Sequence, residues 1–250
     1  MFSMYAISCF LLVLCIIFGC VGFAKSYVWA IVLFAIFLTA SIIMLVYSLW
    51  YTHMYLTFDY NGKRQIMKVL AEGVTSYISI GQGQVGVDIG CGSGALAIAL
   101  AKQNKEAQII GLDRWGKEYA SFNKALCENN AELEGVKNIS FIQGDATHLP
   151  FEDESIDALV SNYVYHNIPS KDRQAILLES LRVLKKGGQF AIHDIFSKNK
   201  YGDMDAFVKK LKDMEYESVD LIDTTDNLFM TKSESRSLML QSSRLLVGRK

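Results

Sequence analysis

Charged residues are nearly absent from the first part of this chain of 250 residues. Lys25 is the only formal charge between Met1 and Phe58. The lack of a polar face argues against a helix pair buried in a soluble domain. A cleaved signal peptide is also disfavoured, because the first apolar run lacks a charged start and is too long. A second apolar run also follows it at once.

The two apolar runs have the length of membrane-spanning helices. Met4–Phe23 and Val28–Trp50 each reach the roughly 20 residues that cross a bilayer core. A short polar break, Lys25-Ser26, separates them, and tyrosine and tryptophan cluster near the ends of the second run, as interfacial aromatics do. We therefore predict a transmembrane hairpin of two spans over residues 1–50.

The orientation of the hairpin follows from the charges around it. Lys63, Arg64 and Lys68 come just after the second predicted span, whereas Lys25 alone lies in the turn. An excess of lysine and arginine marks the cytoplasmic side of a membrane. The rest of the chain is thus predicted to be cytoplasmic, tethered to the membrane by the hairpin.

Several other features that define protein classes are missing. Lysine and arginine number 25 against 26 acidic residues, and no basic stripe is present, which argues against a nucleic-acid partner. We find no internal repeat, no low-complexity stretch and no cluster with metal-ligand spacing, so no metal is expected. The five cysteines lack the spacing of a secreted disulfide framework, so reduced thiols are predicted. The oligomeric state cannot be read from the sequence.

Strand and helix patterns alternate after the hairpin, which predicts a doubly wound α/β fold with a mostly parallel seven-stranded sheet. Residues 51–80 form a connector with an amphipathic helix, Lys63–Tyr77, that is a candidate lid, and residues 81–250 form the main domain. The predicted strands are Val85–Ile89, Gln108–Leu112, Ile139–Gln143, Ala158–Ser161, Gln189–Asp194, Tyr216–Ile222 and Leu245–Val247. The predicted helices are Ala95–Gln103, Gly116–Ala131, Lys171–Leu184 and Met204–Met214.

A glycine-rich turn follows the first of these strands. Residues Val87–Gly94 read V-D-I-G-C-G-S-G, and glycine is required where the backbone lies against a ligand. The glycines also fit the G-x-G-x-x-G/A fingerprint of dinucleotide sites. Asp88 favours a different ligand, because a carboxylate suits an ammonium and a sulfonium group and repels a pyrophosphate.

Two later segments complete an ordered set. Gly144-Asp145-Ala146 follows the third strand, and Leu184–Gly188, with the sequence L-K-K-G-G, leads into the fifth. Together with the glycine turn they resemble the class I S-adenosylmethionine-dependent methyltransferases with an uninserted core, over about Gly81–Lys250. This resemblance implies S-adenosylmethionine as cofactor and an antiparallel last strand. A catalytically silent cofactor-binding module and a membrane-bound NAD(P)-dependent oxidoreductase remain as alternatives.

The resemblance and the residue types together predict the cofactor site. Glycines of the turn lie against the methionine part, Asp88 supports the turn or the ammonium group, and Asp113, at the end of the second strand, accepts from the ribose hydroxyls. Asp145 meets the adenine amino group. The complete predicted cofactor set is Asp88, Gly90, Gly92, Gly94, Asp113, Arg114, Asp145, Ala146 and Asn162.

The segment after the fourth strand is predicted to face a small-molecule acceptor. It reads S-N-Y-V-Y-H-N from Ser161 to Asn167. Histidine exchanges a proton near neutral pH, so His166 is a candidate general base, with Tyr163 beside it as a second catalytic candidate. A capping or solvent-exposed role for His166 is the alternative. The aromatic residues and the tether favour an apolar or lipid-like acceptor, whose reacting atom the sequence does not reveal.

Overall fold

A computed structural model describes residues 2–25, 27–116 and 121–250, which fall into two compact units, Met1–Gln65 and Ile66–Lys250. The first unit contains helices α1 (Phe2–Lys25) and α2 (Val28–Phe58), which pack on each other. Two reciprocal hydrogen bonds join them, from Ser8 Oγ to the Ser41 carbonyl (3.3 Å) and from Ser41 Oγ to the Ser8 carbonyl (3.2 Å). Polar contacts therefore fix the register of an otherwise apolar pair.

Both helices are long and apolar enough to cross a membrane, by length and composition. The segments Ser3–Lys25 and Val28–Phe58 each reach a mean hydropathy of 2.7, and most of their residues are not buried within the protein. The second helix extends beyond Trp50, where the sequence pattern ends the predicted span, to Phe58. Residues 51–58, which the sequence assigns to the connector, are therefore helical.

The second unit is a seven-stranded sheet with helices on both faces, in the order β3-β2-β1-β4-β5-β7-β6. Strands β1 to β5 pair in parallel and β7 pairs antiparallel with β5 and β6, as the resemblance implied. The strands are β1 (Val85–Ile89), β2 (Gln108–Asp113), β3 (Ile139–Gln143), β4 (Ile156–Asn162), β5 (Leu184–Ile195), β6 (Ser218–Asp223) and β7 (Ser243–Arg249). The helices are α3 (Ile66–Thr75), α4 (Ala95–Gln103), α5 (Lys124–Leu133), α6 (Arg173–Arg182), α7 (Lys198–Tyr201), α8 (Met204–Asp213) and α9 (Lys232–Ser237).

The central strands are apolar on both faces because helices cover both. Val87 and Ile89 of β1 and Leu159 of β4 are fully buried. The apolar face of α3, with Ile66 and Leu70 at its centre, is also fully buried, and this helix packs on α4 and the neighbouring strands. The fold class predicted from the sequence is confirmed.

Several predicted helix boundaries differ from the structure, and two of these differences change how the segments are assigned. The helix predicted over Gly116–Ala131 begins only at Lys124, where the Asn123 side chain accepts a hydrogen bond from the Leu126 amide; Gly116 and residues 121–123 are not helical, and residues 117–120 lie outside the described ranges. The helix predicted to reach Leu184 ends at Arg182, because Leu184 already belongs to β5. The Asn123 cap fixes the start of α5 at Lys124.

Candidate active site

The glycine turn between β1 and α4 lies at the carboxyl end of the parallel strands. Gly90, Gly92 and Gly94 have φ angles of +74°, +55° and +88°, a region that side chains with a Cβ atom rarely adopt. The amides of Gly90 and Cys91 both donate to the Leu112 carbonyl, at 2.7 and 3.0 Å. The turn is thus fixed to the end of β2.

The three glycines have different surroundings. A Cβ atom on Gly90 would lie 2.4 Å from the Val164 side chain, and one on Gly94 would lie 3.2 Å from the Phe141 ring. Among the described residues, a Cβ atom on Gly92 would meet Phe122, at 3.7 Å. Packing therefore excludes a side chain at Gly90 and disfavours one at Gly94, whereas the corresponding side of Gly92 is open among the described residues.

Asp113 connects the end of β2 to this turn. Its Oδ2 accepts a hydrogen bond from the Gly92 amide at 2.8 Å, and its Oδ1 accepts one from the Trp115 amide at 2.7 Å. The Trp115 indole donates to the Gly92 carbonyl at 3.0 Å, and the Cys127 thiol lies 3.1 Å from the same oxygen. Asp113 and its neighbours thus fix the conformation of Gly92.

Asp88 lies beneath the turn and is 1% exposed. Burial is the main reason that the pKa of its carboxyl rises to about 8; the nearby Asp113 charge adds to the effect, and a hydrogen bond from the Ala97 backbone opposes it. Its Oδ2 has no hydrogen-bond partner among the described residues. A cationic group that approached this oxygen would stabilise the ionised form of the carboxyl.

Asp145 follows β3 and adjoins Asp113, because the Gly144 amide donates to the Asp113 carbonyl at 3.0 Å. Asp145 Oδ1 accepts from the Thr147 amide (2.8 Å) and hydroxyl (2.7 Å), and these bonds hold the pKa of its carboxyl below the usual range. Its second oxygen takes part in neither bond. Arg114 is exposed nearby and Ala146 is half-buried.

Asn162 lies at the end of β4, where its side chain turns toward β5. Its Oδ1 is hydrogen-bonded to His193 Nδ1 at 2.8 Å, and His193 Nε2 is hydrogen-bonded to the Thr224 hydroxyl, also at 2.8 Å. Burial lowers the pKa of His193 to about 3, so the ring is neutral. The structure thus places Asn162 in a buried polar network behind the site.

Tyr163 adopts the left-handed conformation, with φ at +56°. Its hydroxyl is hydrogen-bonded to Ser243 Oγ at 2.8 Å, and its ring lies 4.7 Å from the His193 ring and 6.1 Å from the His166 ring, between centroids. Burial raises the pKa of the phenol. The hydroxyl therefore faces β7, and the ring separates the two histidines.

His166 is paired with Asp194, the acidic residue near the end of β5. The imidazole Nδ1 lies 2.5 Å from Asp194 Oδ1, and the side chains are 13% and 0% exposed. The sequence marks both residues at strand ends, but it contains no sign that they pair, because they are 28 positions apart. The Asn162–His193–Thr224 network was likewise not identified from the sequence.

The structure thus gathers Asp88, Asp113, Asp145 and the glycine turn at the carboxyl ends of β1, β2 and β3, with His166 in the short helical turn that follows β4. Residues 87–192 match the Methyltransferase domain family. A stretch of 116 residues, 46% of this chain, is 36% identical to demethylmenaquinone methyltransferase of Lactobacillus johnsonii and covers 45% of it. A stretch of 90 residues, 36% of this chain, is 32% identical to arsenite methyltransferase of Halobacterium salinarum and covers 21% of it.

A solved S-adenosylmethionine-dependent methyltransferase from Aquifex aeolicus has a similar fold. It superposes with a TM-score of 0.51 over 75% of this chain and 93% of that chain, at 16% identity. The chain spans less than half the length of the two curated relatives. Similarity to these proteins therefore concerns the domain and its fold.

Proposed function

We propose that this chain, whose residues 87–192 match the Methyltransferase domain family, is a membrane-anchored, S-adenosylmethionine-dependent enzyme that methylates a small apolar or lipid-like acceptor. The observation that carries the proposal is the arrangement of three carboxylates around the glycine turn. Asp88, Asp113 and Asp145 stand at the carboxyl ends of β1, β2 and β3, the edge at which sheets of this type bind ligands.

The residues at this edge fit S-adenosylmethionine. The unpartnered buried oxygen of Asp88 suits a cationic amino-acid tail, and the open side of Gly92 admits the backbone of a ligand. Asp113 retains lone pairs for ribose hydroxyls beyond the two amide bonds that it accepts. The second oxygen of Asp145 remains for an amino group of the adenine. A pyrophosphate would meet the carboxylates of Asp113 and Asp145 and brings no cation to the buried Asp88 carboxyl, which disfavours a dinucleotide.

When bound, S-adenosylmethionine supplies the methyl group and a sulfur leaving group. The chain's contribution is alignment and exclusion of water, because methyl transfer is an in-line displacement whose rate depends on geometry. The backbone of the glycine turn is held by Asp113 and Leu112, so its amides keep fixed positions without ligand. Tyr163 and the buried network behind it close the side of the site toward β5 and β7.

The two apolar helices support the membrane anchor. Exposed apolar side chains cover both, including Phe10, Ile16 and Val46. The Ser8–Ser41 hydrogen bonds hold the pair together where no water is available, which is how polar residues join helices in lipid. Lys63, Arg64 and Lys68 orient the remainder of the chain toward the cytoplasm.

An apolar or lipid-like acceptor follows from this anchor. A membrane tether keeps the active site close to molecules that partition into the bilayer. For a water-soluble acceptor the tether brings the enzyme no such advantage. One relative is named for demethylmenaquinone and another for arsenite, so the relatives' names do not agree on a single acceptor class. The anchor is therefore the feature that favours the lipid-like class.

The test is methyl transfer by the full chain in lipid nanodiscs. The protein is incubated with S-adenosylmethionine labelled in the methyl group and with a total lipid extract of the source cells, and label is counted in the organic phase. We expect label there with the wild-type chain and, at a cofactor concentration near the wild-type Kd, much less label with Asp113→Ala. Cofactor binding without any transfer to the lipid or aqueous fraction would favour the silent module, and transfer only to aqueous compounds would contradict the lipid-like acceptor.

A further inference from the structure

The imidazole of His166 and the carboxylate of Asp194 form a close pair at the end of β4 and β5. Asp194 Oδ1 lies 2.5 Å from His166 Nδ1, and Asp194 Oδ2 accepts a hydrogen bond from the His166 amide at 3.2 Å. The Ile195 amide donates a further bond to Oδ1 at 2.6 Å. The carboxylate is fully buried, and these three bonds compensate its loss of water.

This pairing determines which imidazole nitrogen is available. An ionised carboxylate only accepts hydrogen bonds, so Nδ1 of His166 carries the proton that faces Asp194. In the neutral ring Nε2 is then an acceptor, and it has no hydrogen-bond partner within the described ranges 2–25, 27–116 and 121–250. The side chain is 13% exposed, so the ring is held by the protein and still has access to a ligand.

The segment that carries His166 lies against the glycine turn. Val164, two residues earlier, fills the space that a Cβ atom on Gly90 would occupy. The segment is also anchored from the other side, because the Lys200 ammonium group donates to the His166 carbonyl at 3.1 Å and Arg173 donates to the Tyr165 carbonyl at 3.3 Å. His166 thus has a fixed position beside the proposed cofactor site.

We propose that His166 is a general base and Asp194 its positioning residue, and that the acceptor is a protic group of phenol type, the hydroxyl oxygen being the atom that is methylated. This inference rests on the proposed function. The acceptor O–H proton moves to Nε2 of His166, the oxygen lone pair forms the bond to the methyl carbon, and the pair of the broken carbon–sulfur bond stays on sulfur. Asp194 stabilises the resulting imidazolium, as the carboxylate of a catalytic triad does.

The first test is the tautomer of His166, which needs neither cofactor nor acceptor. The full chain is labelled with ¹⁵N-histidine in nanodiscs, and the His166 signals are assigned with His166→Gln. We expect the neutral ring of the wild type to carry its proton on Nδ1 and not on Nε2, and the neutral ring of Asp194→Asn to be a mixture of the two tautomers. Asp205→Asn, which changes an exposed carboxylate on α8, serves as the control and keeps the wild-type signals. A wild-type ring protonated at Nε2 alone overturns the dyad, even if the Asp194 variant fails to fold.

The second test compares a 4-alkylphenol with the matching 4-alkylbenzenethiol as acceptors in the same nanodiscs. A thiol loses its proton more readily than a phenol, so it reaches the reactive anion without a base. We expect His166→Gln and Asp194→Asn to lower kcat on the phenol by about 10²–10⁴-fold, with little change on the thiol and an unchanged Kd for S-adenosylhomocysteine.

Equal losses of kcat on both acceptors overturn the role of His166 as a base. If the wild type methylates neither acceptor, or only the thiol, the proposed acceptor class is overturned. If the wild-type chain does not bind S-adenosylhomocysteine at all, that result contradicts the proposed function and not the role of His166.

Discussion

Asp113 at the end of β2 holds Gly92 in the glycine turn through a hydrogen bond of 2.8 Å from the Gly92 amide to Asp113 Oδ2. The two residues are 21 positions apart, and they meet because β1 and β2 are neighbouring parallel strands that end at the same edge. The carboxylate predicted to bind the ribose therefore also fixes the turn that approaches the ligand. If the proposed function holds, this side chain links cofactor binding to the conformation of the turn.

Replacing Asp113 by Ala should weaken binding of S-adenosylhomocysteine by roughly 1–3 kcal/mol, or about 5- to 150-fold in Kd. The physical reason is the loss of hydrogen bonds to a charged acceptor and of the restraint on Gly92. Calorimetric titration measures this effect. Asp220→Ala, an exposed position in β6, is the matched control and should bind like the wild type. Equal affinities for the Asp113 variant and the wild type would remove Asp113 from the site.

Binding of the cofactor should release a proton below about pH 8. Asp88 has its pKa raised to about 8 by burial, and a cationic ligand nearby stabilises the ionised form. Affinity for S-adenosylmethionine should therefore rise with pH and level off above about pH 8. Calorimetry in buffers of different ionisation enthalpy counts the protons released, and Asp88→Asn should abolish the release. A wild-type affinity that is independent of pH would contradict the pairing of Asp88 with the ligand's cationic tail.

The same carboxyl makes stability depend on pH. Because the folded state retains the Asp88 proton up to about pH 8 while the unfolded chain loses it near 3.8, wild-type stability should fall as pH rises through this window. Asp88→Asn has no proton to lose, so its Tm should exceed that of the wild type by an amount that grows between these two values. Thermal unfolding followed by circular dichroism tests this, and a Tm difference that stays constant across the window counts against it.

His193 should make the protein sensitive to acid. Burial lowers its pKa from 6.5 to about 3, so the unfolded chain binds a proton at this residue before the folded chain does, and stability is lost as pH falls through that window. His193→Gln should unfold at a lower Tm than the wild type at neutral pH, and the two Tm values should converge on acidification. His148→Gln, at an exposed histidine, is the control. Parallel curves for His193→Gln and the wild type would show that His193 does not carry the effect.

The unit Ile66–Lys250 should remain soluble without detergent and should bind S-adenosylhomocysteine as the full chain does. It has its own buried core, including Leu159, Phe190 and Leu246, and it contains every residue of the proposed cofactor site. Expression of residues 66–250 and comparison of the two Kd values test this. The full chain should stay with the membrane fraction after carbonate extraction. An aggregated or non-binding truncated form would make the hairpin part of the fold.

The sequence predicts the sheet well because its strands are short apolar runs bounded by clear turn residues. Val85–Ile89 and Ile139–Gln143 have the predicted boundaries, since glycine or asparagine flanks each. The start of α5 was missed because apolar residues continue upstream of Lys124 at helical spacing, whereas the Asn123 cap ends the helix there. The start of β5 was missed because Leu184–Gly188 has the composition of a turn, and of these residues only Leu184 pairs with β4, before an irregularity in the register.

The positions of the candidate site residues in the fold could be predicted where a residue type alone suggests the chemistry. The carboxylates and glycines at the strand ends could be identified because a parallel sheet gathers its carboxyl ends at one edge. The partners of these side chains could not, because they depend on register. Asn162 pairs with His193 only because these two positions are aligned between β4 and β5, and Asp194 then points to the opposite face, where His166 lies.

The central claim is that the carboxyl ends of β1, β2 and β3 form a binding site for S-adenosylmethionine. Calorimetric titration of the purified full chain with S-adenosylhomocysteine and, separately, with NADH tests it most directly, because the two ligands share an adenosine and differ in the group that meets the three carboxylates. The account predicts saturable binding of S-adenosylhomocysteine and no heat of binding with NADH. Binding of NADH with no response to S-adenosylhomocysteine would contradict it.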